Sequence, residues 1–399
     1  MKTIIFGAVS ASALLLASAA FAAGNSTEID QIGYANTASV DQTGSPSDAT
    51  AKVTQGLSPS DEYNSAAVTQ GGGAGNSATV TQSQGAYGAT RNASNILHSN
   101  QQGTDGLVTV VQVGDNTSTV NQLSGSVAEY ALVGQSNVNN TSTISQGGHN
   151  EFALVNQQTG TGNSASIVQS GNGAGKLGTG AGNYAPTAYL PRIHGPGNLW
   201  WSENVPDTSV LPGGPGHTRY GQSGADIDQV GSNNVGNVSQ AGNQNFADVS
   251  QENDAGTGGN RGTVNQGLGV YNSDAVMFQW GQNNTVTLDQ SGAGTSYSTA
   301  WQNGDSNQAY VTQSGSESSV VGQGVNGDGE RDTTVSYDPW NSAPVTGDYA
   351  SVDQTTGGDS SRVIQTGSND TANVYQTVMP NATSVISQGG SFNVATVRQ

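Results

Sequence analysis

A repeated unit, N-x-A-x-V-x-Q-x-G, constrains the fold more than any other feature of the sequence, and it recurs from Asn25 to Gln399. Its glutamine slot falls at positions 31, 42, 55, 70, 82, 98, 112, 122, 135, 146, 157 and 169, then at 229, 240, 251, 266, 279, 290, 302, 313 and 323, and finally at 354, 365, 376, 388 and 399. These 26 slots are most often 11 residues apart, and His98 is the only one without Gln. A fixed internal period predicts a repeat architecture in which neighbouring units stack.

The apolar and amide slots share one face of a predicted strand. Val or Ile stands two residues before the glutamine slot in 23 units, and a small residue (Ala, Ser, Gly or Thr) stands four residues before it in 24. Asn stands six residues before it in 14 units. Because side chains alternate along a strand, these four slots point inward and the intervening Thr, Ser and Asp point to water. A strand of about seven residues and a turn of about four match the period.

The repeat predicts an all-β fold, a β-solenoid of stacked two-strand (strand-turn-strand) rungs with two loop insertions. The 26 units correspond to about 13 rungs. One rung cannot bury a core alone, whereas stacked rungs bury a continuous one.

Equivalent amides on neighbouring rungs are expected to bond to each other along the stack, as Asn/Gln ladders do in cross-β structures. Since an unpaired buried amide costs about 1–3 kcal/mol, such a ladder would also specify the strand register. The residues expected in this structural ladder are Asn25, Gln31, Asn36, Gln42, Asn64, Gln70, Asn76, Gln82, Gln112, Asn116, Gln122, Asn140, Gln146, Asn163, Gln169, Gln229, Asn234, Gln240, Asn245, Gln251, Asn284, Gln290, Asn307, Gln313, Gln354, Gln365, Gln376, Gln388, Asn393 and Gln399.

Composition alone would favour disorder, and only the repeat overturns that interpretation. Leu, Ile, Val and Phe total 70 of 399 residues, and the net charge is -19, or -20 once Lys2 is removed with the leader. Few large apolar residues with a high net charge are typical of disordered chains. The acidic balance disfavours nucleic acid and anionic membranes as partners. Disulfides play no part, because the chain has no cysteine.

The chain divides into a leader, three repeat blocks and two insertions. Residues 1–22 read as a secretory signal peptide, with Lys2, an apolar run and small residues before the expected cleavage at Ala23. The three repeat blocks are expected at 23–171, 223–325 and 348–399. The Pro/Gly-rich insertion spans 172–222 and the second loop insertion spans 326–347. No other run is apolar and long enough for a membrane span, so we expect no membrane insertion.

The insertions hold the remaining candidate sites. Trp200 and Trp201 are a candidate contact for a ligand such as a polysaccharide, although we favour a loop packed against the side of the solenoid. "NGDGERD" places Asn326, Asp328, Glu330 and Asp332 in alternation, but without a twelfth-position Glu a solvated turn is favoured over calcium binding. His194 and His217 are too few ligands for a metal site. We therefore expect no metal, no cofactor and no catalytic residues.

Two stretches of the repeat match the pattern of a known family, the curlin family, so the three repeat blocks resemble curlin repeats. "QVGDNTSTVNQ", with Gln112, Gly114, Asn116, Ser118 and Gln122, matches every position of the second half of the family's S-x5-Q-x-G-x-N-x-A-x3-Q pattern except Ser for Ala. "QAGNQNFADVSQ", from Gln240 to Gln251, fits with one extra residue. The chain departs from the family in its larger number of repeats, in repeats that begin directly after the expected cleavage site, and in its two insertions.

The resemblance implies a secreted, non-enzymatic subunit of extracellular amyloid fibres on the bacterial cell surface, acting in cell adhesion and biofilm matrix. Its implied partners are further copies of itself in a homopolymeric fibre, a nucleator subunit, secretion or chaperone proteins, and host or abiotic surfaces. Both ends of the repeat array, Asn25 and "FNVATVRQ", read as uncapped and are expected to accept another copy. Two alternatives remain open: a monomeric secreted adhesin or ice- or carbohydrate-binding solenoid, and a β-helical carbohydrate enzyme, which the scattered acidic residues favour least.

Overall fold

The computed structural model describes residues 16–18, 24–32, 36–45, 47–56, 63–83, 95–158, 160–171, 223–253, 258–271, 273–324, 345–355, 358–366 and 368–399. These residues form strands, turns and bends, and no helix occurs among them. The insertion at 172–222, with Trp200 and Trp201, and most of the insertion at 326–347 lie outside the described residues. The strands fall into two compact units.

Unit 1 contains eleven strands. They are β1 (Leu16–Ser18), β2 (Ser26–Gln31), β3 (Thr37–Gly44), β4 (Thr50–Gln55), β5 (Ser65–Gly71), β6 (Ser77–Ser83), β7 (Ile96–Gln101), β8 (Leu107–Gln122), β9 (Tyr130–Gln146), β10 (Glu151–Gln158) and β11 (Ser164–Gln169).

Unit 2 contains fifteen strands. They are β12 (Ser223–Val230), β13 (Val235–Gln240), β14 (Phe246–Glu252), β15 (Arg261–Gln266), β16 (Asp274–Trp280), β17 (Thr285–Ser291), β18 (Tyr297–Asp305), β19 (Gln308–Ser314), β20 (Ser318–Gln323), β21 (Val345–Thr346), β22 (Tyr349–Gln354), β23 (Ser360–Gln365), β24 (Thr371–Gln376), β25 (Thr383–Gln388) and β26 (Val394–Arg398).

The strands of each unit stack as two columns of parallel strands. In unit 1, one column holds β2, β4, β6, the first halves of β8 and β9, and β10; the other holds β3, β5, β7, the second halves of β8 and β9, and β11. One strand from each column makes a rung, so this unit has six rungs. The short β1, inside the expected signal peptide, pairs its backbone with β3.

Unit 2 has the same architecture with seven rungs. One column runs through β12, β14, β16, β18, β20, β23 and β25. The other runs through β13, β15, β17, β19, β22, β24 and β26. Six and seven rungs confirm the predicted all-β solenoid and its expected rung number. The second insertion falls between β20 and β22, the two strands of a single rung.

The register places each slot of the repeat on the same slot of the next rung. Val53 pairs with Val80, and Gln55 with Gln82. Burial alternates in phase along the strands, and β8 alternates over all 16 of its residues. Because only the small and β-branched slots point between the columns, the core is a thin row of Ala, Val and Ile with amides at its borders.

Where one core slot carries a larger side chain, a facing slot is smaller. Met277 occupies a Val slot in β16 and is fully buried. Gly262, in the small slot of β15, lies so close that a Cβ there would be 2.5 Å from Met277 Sδ and 2.9 Å from Val249 Cγ1. Since cores are packed without spare volume, the two sites must vary together.

We predict that Gly262→Ala lowers the free energy of unfolding by about 1–3 kcal/mol through overpacking, and that Met277→Val relieves part of this loss because it removes the sulfur. Denaturant titration followed by circular dichroism measures both effects, with the outward-facing Thr263→Ala as the control. If Gly262→Ala costs the same with and without the Met277→Val substitution, the proposed coupling is contradicted.

Candidate functional site

Buried glutamines hydrogen-bond to one another along each column of unit 1. Gln70 shows the pattern: its Oε1 accepts from Gln42 Nε2 at 2.8 Å, and its Nε2 donates to Gln101 Oε1 at 2.8 Å. The same Nε2 donates to the backbone oxygen of Thr50, at the start of the other strand of its rung, at 2.8 Å. Both amide protons and the carbonyl oxygen are therefore used.

The bonds repeat along both columns of this unit, with N–O distances between 2.6 and 3.2 Å. They join Gln31, Gln55, Gln82, Gln112, Gln135 and Gln157 in one column, and Gln42, Gln70, Gln101, Gln122, Gln146 and Gln169 in the other.

Unit 2 repeats the arrangement with N–O distances between 2.8 and 3.1 Å. The bonds join Gln229, Gln251, Gln279, Gln302, Gln323, Gln365 and Gln388 in one column, and Gln240, Gln266, Gln290, Gln313, Gln354, Gln376 and Gln399 in the other. Except for Gln388 and Gln399 at the end of each column, these amides donate toward the following rung, so their side-chain dipoles point the same way.

The asparagine slots make a different contact at the turns. Asn284 Oδ1 accepts from the backbone N–H of Asn307 at 3.0 Å, and the Asn284 backbone N–H donates to Asn260 Oδ1 at 3.0 Å. Its Nδ2 donates to the carbonyl of Trp280, four residues earlier, at 3.1 Å and to that of Gly304 in the next rung at 2.7 Å. The Asn284 side chain therefore hydrogen-bonds within its own turn and to the next rung at the same time.

Other asparagines of the expected ladder make the same Oδ1 contact with the next rung. In each case a backbone N–H of the next rung donates to the asparagine Oδ1. The donor and acceptor pairs are Ala49 to Asn25, Asn64 to Asn36, Gly106 to Asn76, Asn140 to Asn116, Asn163 to Asn140, Asn260 to Asn234 and Ser273 to Asn245. Two members differ. Asn64 Oδ1 accepts from Asn95 Nδ2, and Asn393 donates from its backbone N–H and its Nδ2 to Asp370 Oδ1.

The slot assigned to His98 was wrong. His98 is exposed, whereas Gln101 is buried and joins Gln70 to Gln122. In this strand Leu97 fills the small slot and Ser99 the Val slot, so the usual order of sizes is reversed. Ile96 and His98 have the same spacing as the Val and Gln slots, which led to the wrong assignment. Asn95 and Gln101 have the six-residue spacing of the Asn and Gln slots, and this spacing identifies the true register.

Acidic residues replace asparagine at some slots. Glu129 and Glu151 occupy this slot in neighbouring rungs of unit 1 and are both fully buried. Burial, and then the charge of Glu151, raise the pKa of Glu129 to about 9, although the nearby backbone N–H of Gly148, which donates to Glu151 Oε2 at 3.3 Å, opposes the rise. Glu129 is therefore protonated, and neutral, at pH 7. The sequence shows these acids but not that they are buried.

The described residues provide neither a metal-ligand cluster nor a membrane-spanning helix. No three His, Cys, Asp or Glu side chains among them are grouped to hold a metal ion. No helix in this part of the chain is long and apolar enough to cross a membrane. The candidate loop residues Trp200, Trp201, His194 and His217, and the acidic set from Asn326 to Asp332, lie outside it.

Comparison with known families agrees with this geometry. The model of the curlin associated repeat matches residues 23–55, 223–252 and 281–315. The chain contains curlin repeats at these three places. Each match spans three successive strands, β2–β4, β12–β14 and β17–β19. Curlin repeats in a β-solenoid fit a curli-like structural subunit. No curated protein matches the chain in sequence.

We predict that Gln290→Glu lowers the free energy of unfolding by at least about 2 kcal/mol at pH 7, because a carboxylate cannot donate to Gln313 Oε1 or to the Asp274 carbonyl and would be buried. Denaturant titration measures the change. The control is Gln308→Glu, which makes the same chemical change on an exposed side chain of the adjacent strand β19. Equal costs at the two positions would show that the ladder contact contributes little.

Proposed function

We propose that this protein is a secreted structural subunit of curli-like extracellular amyloid fibres that assembles end to end through its amide-laddered rungs. The observation that carries the proposal is the uniform direction of the ladder. In an inner rung, Gln Oε1 accepts a hydrogen bond from one neighbouring rung and Gln Nε2 donates one to the other neighbouring rung. The end rungs of two copies can therefore form the same glutamine–glutamine bonds as two neighbouring rungs of one copy.

The solenoid geometry supports stacking rather than lateral association. Parallel strands leave backbone N–H and C=O groups pointing along the stack, while the outward faces of the rungs carry mainly Ser, Thr, Asp and Asn, which water solvates. A copy that adds a rung in register satisfies backbone and side-chain amides together. A copy shifted by one residue buries the polar face, so assembly is selective for the same repeat.

The biological role that we propose follows from the fibre. Residues 1–22 would direct export, and fibres at the bacterial surface would serve adhesion and biofilm matrix. The proposed partners are other copies of the chain, a nucleator subunit, secretion or chaperone proteins, and host or abiotic surfaces. The protein would act mechanically, without a cofactor or a catalytic reaction. The rungs that hold Gln31 and Gln399 are the proposed sites of growth.

We predict that residues 23–399, released from denaturant, form fibres with rising thioflavin T fluorescence, and that Gln146→Lys, Gln240→Lys and Gln313→Lys together abolish them. The lysines remove three ladder amides and bury three charges. Electron microscopy of the same samples measures fibre formation.

The matched control replaces the outward neighbours of the same glutamines, Ser145→Lys, Ser239→Lys and Thr312→Lys, and adds the same charge to the same strands. The control is expected to form fibres. A stable β-rich monomer of the unaltered chain would reject the fibre role and favour a monomeric binding solenoid. Equal fibre formation by the two triple variants would reject assembly through the ladder.

A further inference from the structure

Two aspartates interrupt a column of asparagines in unit 2. The asparagine slots of this column hold Asn234, Asn260, Asn284 and Asn307, then Asp348 and Asp370, and finally Asn393. Asp348 and Asp370 are fully buried at 0 % exposure. They lie on neighbouring rungs, before β22 and β24, at the ~4.8 Å spacing of paired strands.

One oxygen of each aspartate reproduces the asparagine contact. The Asp348 backbone N–H donates to Asn307 Oδ1 at 3.0 Å, and Asp348 Oδ1 accepts from the Asp370 backbone N–H at 2.9 Å. Asp370 Oδ1 accepts in turn from the backbone N–H of Asn393 at 2.8 Å. The chain of contacts along the column therefore continues through the acids.

The second oxygen cannot reproduce it while the acid is ionised. In the asparagine rungs this position is Nδ2, which donates to turn carbonyls, as Asn260 does to Glu252 and Gly281 at 3.1 and 3.0 Å. Oδ2 of Asp348 and Oδ2 of Asp370 are buried and have no hydrogen-bond partner among the described residues. A protonated carboxyl supplies the missing donor, because its O–H can take the place of the amide N–H.

The groups around Asp348 do not neutralise a negative charge. Gln365, from the facing column, reaches Tyr349 and is neutral, as is Asn307 in the preceding rung. Asp305 lies in the preceding turn, where its Oδ1 accepts from the Gln282 backbone N–H. Glu317 and Asp359 are acidic too, but they belong to the other column. They directly precede Ser318 and Ser360, whose backbone oxygens accept from Gln354 and Gln376.

We propose that the Asp348–Asp370 stack makes the contact between the rungs of β22 and β24 depend on a bound proton. With the proton, the two rungs stack as asparagine rungs do; without it, two buried carboxylates repel and the turn carbonyls lose a donor. The device operates within one chain and holds whether or not the chain forms fibres, so it goes beyond the proposed function.

The direction of the pH dependence follows from the raised affinity for protons. Burial, and to a smaller extent the charge of Asp370, raise the pKa of Asp348 from 3.8 to about 6, against the hydrogen bond from the Asp370 N–H. The folded rungs bind more protons than the unfolded chain between these values. The contribution of Asp348 to stability is therefore greatest below pH 3.8, falls as the pH rises to about 6, and is constant above it.

We predict that amide hydrogen exchange, measured by mass spectrometry on the full chain, detects this contact. After correction for intrinsic exchange rates, protection of Tyr349–Gln354 and Thr371–Gln376 should fall roughly tenfold between about pH 5 and about pH 8, the change expected for a pKa that moves from 3.8 to about 6. The strands Ser65–Gly71 and Ser77–Ser83, which follow the buried asparagine slots Asn64 and Asn76 in unit 1, are the internal control and should not change.

Two variants separate the proton effect from a general effect of pH. Asp348→Asn with Asp370→Asn restores the residue type of the neighbouring rungs, is expected to fold, and should abolish the tenfold fall. Asn260→Asp with Asn284→Asp should transfer such a fall to β15 and β17. The proposal is overturned if the acid and asparagine rungs of the unaltered chain respond equally, if the fall persists in the first variant, or if a folded second variant shows none.

Discussion

The hydrogen bond from a buried glutamine amide to the glutamine of the next rung is the interaction on which the rest of the structure depends. Each amide has two protons and one carbonyl oxygen, and the ladder uses them on the preceding rung, the following rung and the opposite strand. In the interior of the stack, no water is needed to satisfy them. Because an unpaired buried amide costs about 1–3 kcal/mol, a slipped rung loses stability even if its apolar residues remain buried.

This arrangement explains how so little apolar surface suffices. The space between the columns is filled by small and β-branched side chains, and each rung contacts only its neighbours, so stability accumulates rung by rung. No rung in the described part of the chain contains a large core, and the chain has no cysteine to link distant segments. The ladder substitutes specific, repeated hydrogen bonds for the varied packing of a globular core. Where packing does vary, as at Met277 and Gly262, the compensation is local.

Much of the fold could be predicted from the sequence because burial, strand pairing and the repeat share one period. The in-phase slots identified which face is buried and the number of rungs, and the two-column stack confirms the fold class. The register of β7 was missed because Leu97 occupies the slot that usually holds a small residue and Ser99 the slot that usually holds Val. The apolar pattern alone therefore pointed to the wrong residues. The spacing of Asn95 and Gln101 carried more information than the apolar slots.

The chemistry of the asparagine slots could be predicted only in part. Asp348 and Glu129 are visible in the sequence as substitutions, but a carboxylate can point to water or be buried without a donor, and the sequence is the same in both cases. The difference depends on the turn carbonyls and on the acid in the next rung, which only the stacked structure brings together. The ladder therefore specifies the register throughout, and the acids add a dependence on pH at a few rungs.

The most direct test of the ladder is solid-state NMR of the folded chain with 15N and 13C in the glutamine side chains. We predict through-space transfer from Nε2 of one ladder glutamine to Cδ of the glutamine in the next rung, over about 4 Å, as a hydrogen-bonded amide pair requires. Assigning Gln251 to Gln279 and Gln290 to Gln313 would fix the register in both columns of unit 2. Side-chain amides that contact only water, or glutamines that lie next to Val slots instead, would contradict the glutamine ladder.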